Sequence, residues 1–102
     1  MSSTKKIDRL AEFRREQSRQ IAALLQRNIW DFERLAAQLD LDIRTEEERS
    51  RNFDPSHVAY SMRAKAARVR RGNLRRSCGE LRLHLKSILA ALDDDHEQRP
   101  AA

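Results

Sequence analysis

Glycine and proline are scarce in this chain of 102 residues, confined to Gly72, Gly79, Pro55 and Pro100. With so few points where a backbone can turn sharply, a strand-rich fold with many tight turns is excluded. Cysteine occurs once, at Cys78, so there is no pair for an internal disulfide or for a structural zinc site. That usage suits a reducing cytoplasm. Aromatic residues make up only 5% of the chain and hydrophobic ones 39%, against 36% charged. This leaves too little apolar volume for a globular core wide enough to surround a cleft, and it fits long helices with one apolar stripe. No uninterrupted apolar run is longer than that at 88–92, which is far too short to span a bilayer. The opening MSSTKKIDRLAEF lacks the apolar stretch of a signal peptide, so a soluble, single-domain protein is expected.

Positive charge is abundant, with a net charge of +5, but its distribution says more than its sum. Residues 1–30 carry seven basic and three acidic side chains, and residues 31–49 carry three and seven. Residues 63–86 hold nine basic against one acidic, and residues 87–102 one against four. Acidic and basic blocks therefore alternate along the chain.

From about residue 5 to 49 there is no glycine or proline, and good helix formers dominate, which predicts one long helix. Its clearest apolar stripe is Ile21, Leu25, Asn28, Phe32, Leu35, Leu39, with heptad steps of four and three. A turn is expected at 50–55, because Asp54 followed by Pro55 reads as a helix start: the aspartate caps free N–H groups and proline suits the first helical position. A second helix is expected over 56–95, then a disordered tail at 96–102. Its stripe is Tyr60, Ala64, Ala67, Arg71, Leu74, Cys78, Leu81, Leu85, Ile88, Leu92, where only Arg71 departs from apolar character.

Two helices joined by a short turn fold back on each other and bury both stripes in one seam. The expected fold is thus all-α, two long helices in an antiparallel coiled-coil hairpin spanning 1–102. With the turn near Phe53, level positions add to roughly 106, which sets acidic 31–49 beside basic 57–75. A parallel homodimer would set like charge beside like charge. The seam is narrow and Gly72 and Gly79 weaken the second helix, so marginal stability is expected. Asn28 and Arg71 read as residues that fix the register, and Cys78 as a small buried apolar group.

Catalytic and metal chemistry find no footing. His57, His84 and His96 are scattered, the acidic runs 46–48 and 93–95 point in several directions around a helix, and no glycine-rich phosphate loop exists. No enzyme activity, cofactor or metal is expected. What remains is surface. Trp30 falls farthest from the seam, and Met62, Val69 and Leu83 form an outer stripe on the second helix, with Arg76 interrupting it. His57 near the tip is a further candidate contact. The basic run ARVRRGNLRR favours nucleic acid by charge but has no interleaved aromatic to stack on bases. Much of it should face the acidic first helix. A small basic nucleic-acid binder and a self-associating structural coiled coil stay open as alternatives.

The segment NFDPSHVAYSMRAKAARVRRGNLRRSCGELRLHL, preceded by FERLAAQLDLDIRTEEERS, resembles the flagellar export protein FliJ family in its short alphaproteobacterial form. There EEER, DP-x-H-x-AY, AKA and RR-x-NL follow in that order, and the likeness covers about 31–92. The resemblance implies a cytoplasmic, non-enzymatic component of the flagellar type III export apparatus. Such a component engages the export ATPase and the membrane export gate and helps deliver export chaperones, reaching the inner membrane only through these partners. The residues carrying the match are Asp54, Pro55, His57, Ala59, Tyr60, Ala64, Lys65, Ala66, Arg70, Arg71, Asn73 and Leu74. Together with the surface features, the expected partner-binding residues are Trp30, His57, Tyr60, Met62, Lys65, Val69, Arg70, Arg76 and Leu83. Three departures from the family stand out: Gly72 and Gly79 interrupt the helix, Ser61 and Met62 replace a proline-containing continuation, and the chain ends soon after Asp95.

Overall fold

The computed structural model describes residues 2–97, and the side chains of 4–94. The fold is all-α, a hairpin of two long helices: α1 spans Ser2–Ser50 and α2 spans Met62–Glu97, with no strand among the described residues. Helix α1 runs unbroken because nothing within it lacks a backbone donor or favours a turn. It stops at Arg51, whose φ of 56° is left-handed, the geometry that ends many helices and that glycine usually supplies.

Helix α2 starts at Met62, not at the expected position near 56. The Asp54 carboxylate caps a local turn instead of a helix, accepting from the N–H of Ser56 at 3.0 Å. Side chains that bond to nearby backbone offer the chain an alternative to helix, and here the alternative wins. The cap of α2 is Ser61, whose Oγ accepts from the N–H of Ala64 at 3.2 Å. The turn accordingly covers 51–61, longer than the expected 50–55. At the far end His96 and Glu97 remain helical, so the expected tail does not begin at 96, and 98–102 lie outside the described residues.

The chain divides into two compact units. One is Ile29–Glu80 and the other joins Met1–Asn28 to Leu81–Ala102. In Ile29–Glu80, the end of α1 and the start of α2 run antiparallel. Tyr60 reaches Glu47, Ser61 reaches Glu46, and the Cys78 thiol donates to the carbonyl of Ile29, so the numbers of these paired residues add to 107. The core of this unit is Leu39, Ile43 and Ala67, with Leu74 against them. Ile29, Ala36, Ala64 and Cys78 are buried beside it. In the other unit Ala22 and Leu25 are buried, and Ala11, Arg15 and Ser18 are half-buried on the same row. The Arg15 Nε is buried there with no hydrogen-bond partner.

Every position of the expected α2 stripe is buried or half-buried. The α1 stripe is only half right. Leu25, Phe32 and Leu39 do face inward, but the alternate row is Ala22, Ile29, Ala36 and Ile43, while Ile21, Asn28 and Leu35 are exposed. Asn28 therefore does not act as a polar register residue in the seam. Alanine at 22 and 36 lets the helix axes approach, and close approach gives tighter interior packing than a row of larger side chains permits.

Candidate functional site

The tip of the hairpin is built by its own side chains. Asn52 Oδ1 accepts from the N–H of Asp54 at 3.1 Å, and Asn52 Nδ2 donates to His57 Nδ1 at 3.1 Å. The N–H of Ala59 also donates to His57 Nδ1, at 3.0 Å, so this ring nitrogen acts as the acceptor. The Ser56 hydroxyl donates to Asp54 Oδ1 at 2.7 Å. That bond, seconded by the one from the Ser56 N–H, holds the Asp54 carboxyl below its ordinary value. Two backbone turns close the loop, His57 N–H to Asp54 O and Tyr60 N–H to His57 O. The side chains of Asn52, Asp54 and Ser56 and the Nδ1 of His57 are thus consumed internally. Phe53 at 59% exposure and Val58, which is fully exposed, are left facing solvent, with Met62 at 77% just beyond.

A buried polar network anchors this loop. Glu47 is only 8% exposed, and its Oε2 accepts from the Tyr60 hydroxyl at 3.0 Å and from Arg68 Nη2 at 3.2 Å. Arg68 Nε donates to the Tyr60 oxygen at 2.8 Å, and this bond first, then the Glu47 carboxylate, raises the Arg68 pKa. The Ser61 hydroxyl donates to Glu46 Oε2 at 3.2 Å, and Glu46 also pairs with Arg49 and Arg63. Tyr60, expected at a partner contact, is 5% exposed and belongs to the interior. A side chain that closes a buried carboxylate cannot at the same time present itself to a partner.

The other expected contacts distribute as follows. Met62, Lys65, Val69, Arg70 and Arg76 are exposed on α2 within Ile29–Glu80, and Leu83 is exposed in the other unit. Trp30 is exposed, and its ring face is covered by its own Arg34, whose guanidinium carbon lies 4.8 Å from the ring centre. His57 is exposed but its Nδ1 is engaged in the loop. Phe53 and Val58 were not expected as contacts. Their signal in the sequence is modest: two apolar residues flanking the polar run DPSH inside a turn.

Much of the basic cluster is neutralised within the fold. Arg68 pairs with Glu47, and Arg71 and Arg75 both pair with Asp40, at 2.6 and 3.5 Å. Among the described residues no group of His, Cys, Asp and Glu could hold a metal ion, and no helix is long and apolar enough to cross a membrane. The arrangement offers apolar and basic side chains on helical and loop surfaces, suited to binding. No family model matches the chain, and no curated protein or solved structure matches it either.

Proposed function

We propose that this chain is a non-enzymatic adaptor of the flagellar type III export apparatus, binding the export ATPase and the export gate and escorting export chaperones. The observation that carries this proposal is the pre-organised tip. The residues that bear the family resemblance, Asp54, His57, Ala59 and Tyr60, are among those whose hydrogen bonds fold the loop, with Asn52 and Ser56. That gives the motif a physical purpose: it holds Phe53 and Val58 out in solvent, where an ordered apolar pair loses little conformational entropy on docking. Arg51 and Lys65 add exposed positive charge beside the tip, and Arg49 and Arg63 share the single carboxylate of Glu46, an excess that would steer the tip toward an acidic surface.

The test is calorimetric titration of the full chain against the purified export ATPase and, separately, the soluble domain of the export gate. Replacing both Phe53 and Val58 with serine should weaken binding by about tenfold or more, equivalent to roughly 1.4 kcal/mol, with helicity unchanged. Trp30→Ala and Leu83→Ala should weaken it as well; unchanged affinity in both would remove those two side chains from the contact. If neither protein binds, the adaptor assignment fails. The nucleic-acid alternative is separated by titration with ribosomal RNA, since several phosphate contacts would make affinity fall steeply with salt.

A further inference from the structure

Helix α1 carries more apolar surface than the seam uses. Within Ile29–Glu80 the seam takes Ile29, Ala36 and Ile43, and the neighbouring row residue Leu35 is left 53% exposed. Leu35, Phe32, Leu39 and, from α2, Leu74 floor an open groove of about 450 Å³. Its two lips differ in sign. Asp42 stands on the α1 lip and Arg70 on the α2 lip, and neither takes part in an ion pair among the described residues. Glu46 and Arg63 repeat the same polarity further along, beside Leu39 and Ala67, though these two already pair with each other within the chain.

We propose that a second copy of this chain fills the groove, two Ile29–Glu80 units meeting face to face about a two-fold axis parallel to the helices. Two kinds of two-fold can bring this face onto itself. An axis across the helices stacks α1 on α1 and α2 on α2, laying the net-acidic stretch 31–49 over its own copy and the net-basic stretch 63–86 over its own. An axis along the helices stacks α1 of each copy on α2 of the other, so that each negative lip meets a positive one. The groove is therefore self-complementary, which an isologous interface requires.

Level matching agrees. Paired residues of α1 and α2 add to 107 within a chain, and an axis along the helices preserves that level between copies. Leu35 then lies level with residue 72 of the second copy, within two residues of its Leu74. Asp42 lies five residues from the level of the second copy's Arg70, about 7.5 Å along the axis. Within one chain the Arg68 to Glu47 pair already spans a larger offset. From Phe32 to Glu46 the groove is only about 20 Å long, so the contact is small and the dimer reversible, with a Kd of about 10–100 µM.

Sedimentation equilibrium of the full chain, over concentrations bracketing that range, tests this. A monomer–dimer equilibrium is expected, with Leu35→Glu raising Kd at least about tenfold while the circular dichroism spectrum is unchanged. Asp42→Arg and Arg70→Asp should each weaken the dimer, and the two together should restore it, because the swap re-forms both charge pairs across the axis. A monomer at every concentration overturns the proposal and leaves the groove to a helix of a different protein. A dimer indifferent to Leu35→Glu, or a swap that fails to restore association, overturns it equally.

Discussion

Arg71 donates from Nη1 to Asp40 Oδ1 at 2.6 Å, tying the one charged residue of the inward row of α2 to the acidic stretch of α1. Arg75 adds a second contact to Oδ2 of the same carboxylate. Both partners of the Arg71 pair are largely shielded, with side-chain exposures of 21% and 31%. The pair therefore contributes to alignment more than an ion pair out in solvent does.

Acid should weaken this link in a defined window. The hydrogen bond from Arg71, aided by the charges of Arg71, Arg75 and Arg44, holds the Asp40 carboxyl below its ordinary value of 3.8 against an opposing desolvation cost. Because the folded-state pKa is depressed, the stabilisation is complete above the unfolded value and is lost as pH falls through the folded one. Asp40→Asn should cost about 1–2 kcal/mol in urea melts at neutral pH. The gap to the parent chain should close as the pH drops well below 4. An equal gap in acid and at neutrality would show that the carboxylate's charge is irrelevant.

The network at the base of the tip should be sensitive to a single oxygen. Tyr60→Phe removes the hydroxyl that donates to Glu47 and accepts from Arg68. Loss of about 1–3 kcal/mol is expected, because a buried carboxylate is left with fewer donors. Replacing Glu47 and Arg68 together with leucine and methionine should cost less than Arg68→Ala alone, which leaves the buried Glu47 carboxylate without its cation. Urea denaturation of the three variants checks the order.

At the end of α1 the strain sits on one residue. Arg51 has a left-handed φ that its side chain disfavours. Arg51→Gly should stabilise the hairpin by about 0.5–1 kcal/mol, the relief of strain being partly offset by the greater freedom of glycine in the unfolded chain. Arg51→Val should destabilise it, because a β-branched residue tolerates that backbone least. Thermal melts followed at 222 nm would expose a reversed order.

Gly72 and Gly79 lie inside α2 with nothing within 4 Å of where a Cβ would stand. Gly72→Ala and Gly79→Ala should each add about 1 kcal/mol, nearly additively since the sites are two turns apart. The starting point is low, because no large side chain among the described residues is fully buried. The parent chain should unfold below about 75 °C, and a sharp transition above that would contradict the account of a thin seam.

Composition and spacing were enough to foresee two long helices, the inward row of α2 and the facing of acidic α1 by basic α2. Each of these depends on period or on charge, which a linear pattern carries directly. The start of α2 lies at Met62 and not near 56 because Asp54 and Pro55 are an equally good opening for a turn. The choice depended on whether Ser56, His57 and Ala59 would bond back to the loop, as they do. Phe53 and Val58 are not legible in the sequence for a related reason: their exposure follows from a loop conformation, and no periodicity marks it.

The face of α1 was beyond reach for a different cause. Its apolar residues occupy two overlapping rows one residue apart, Ile21 with Leu35 and Ala22 with Ile29, Ala36 and Ile43. An isolated helix is indifferent between them. Helix content and the pairing of opposite charges were written in the order of residues, because each is a property of one segment or of two net charges. Which row turns inward, and so whether Leu35 is core or groove, was settled only when α2 packed against α1, since close approach of two surfaces depends on the shape of both.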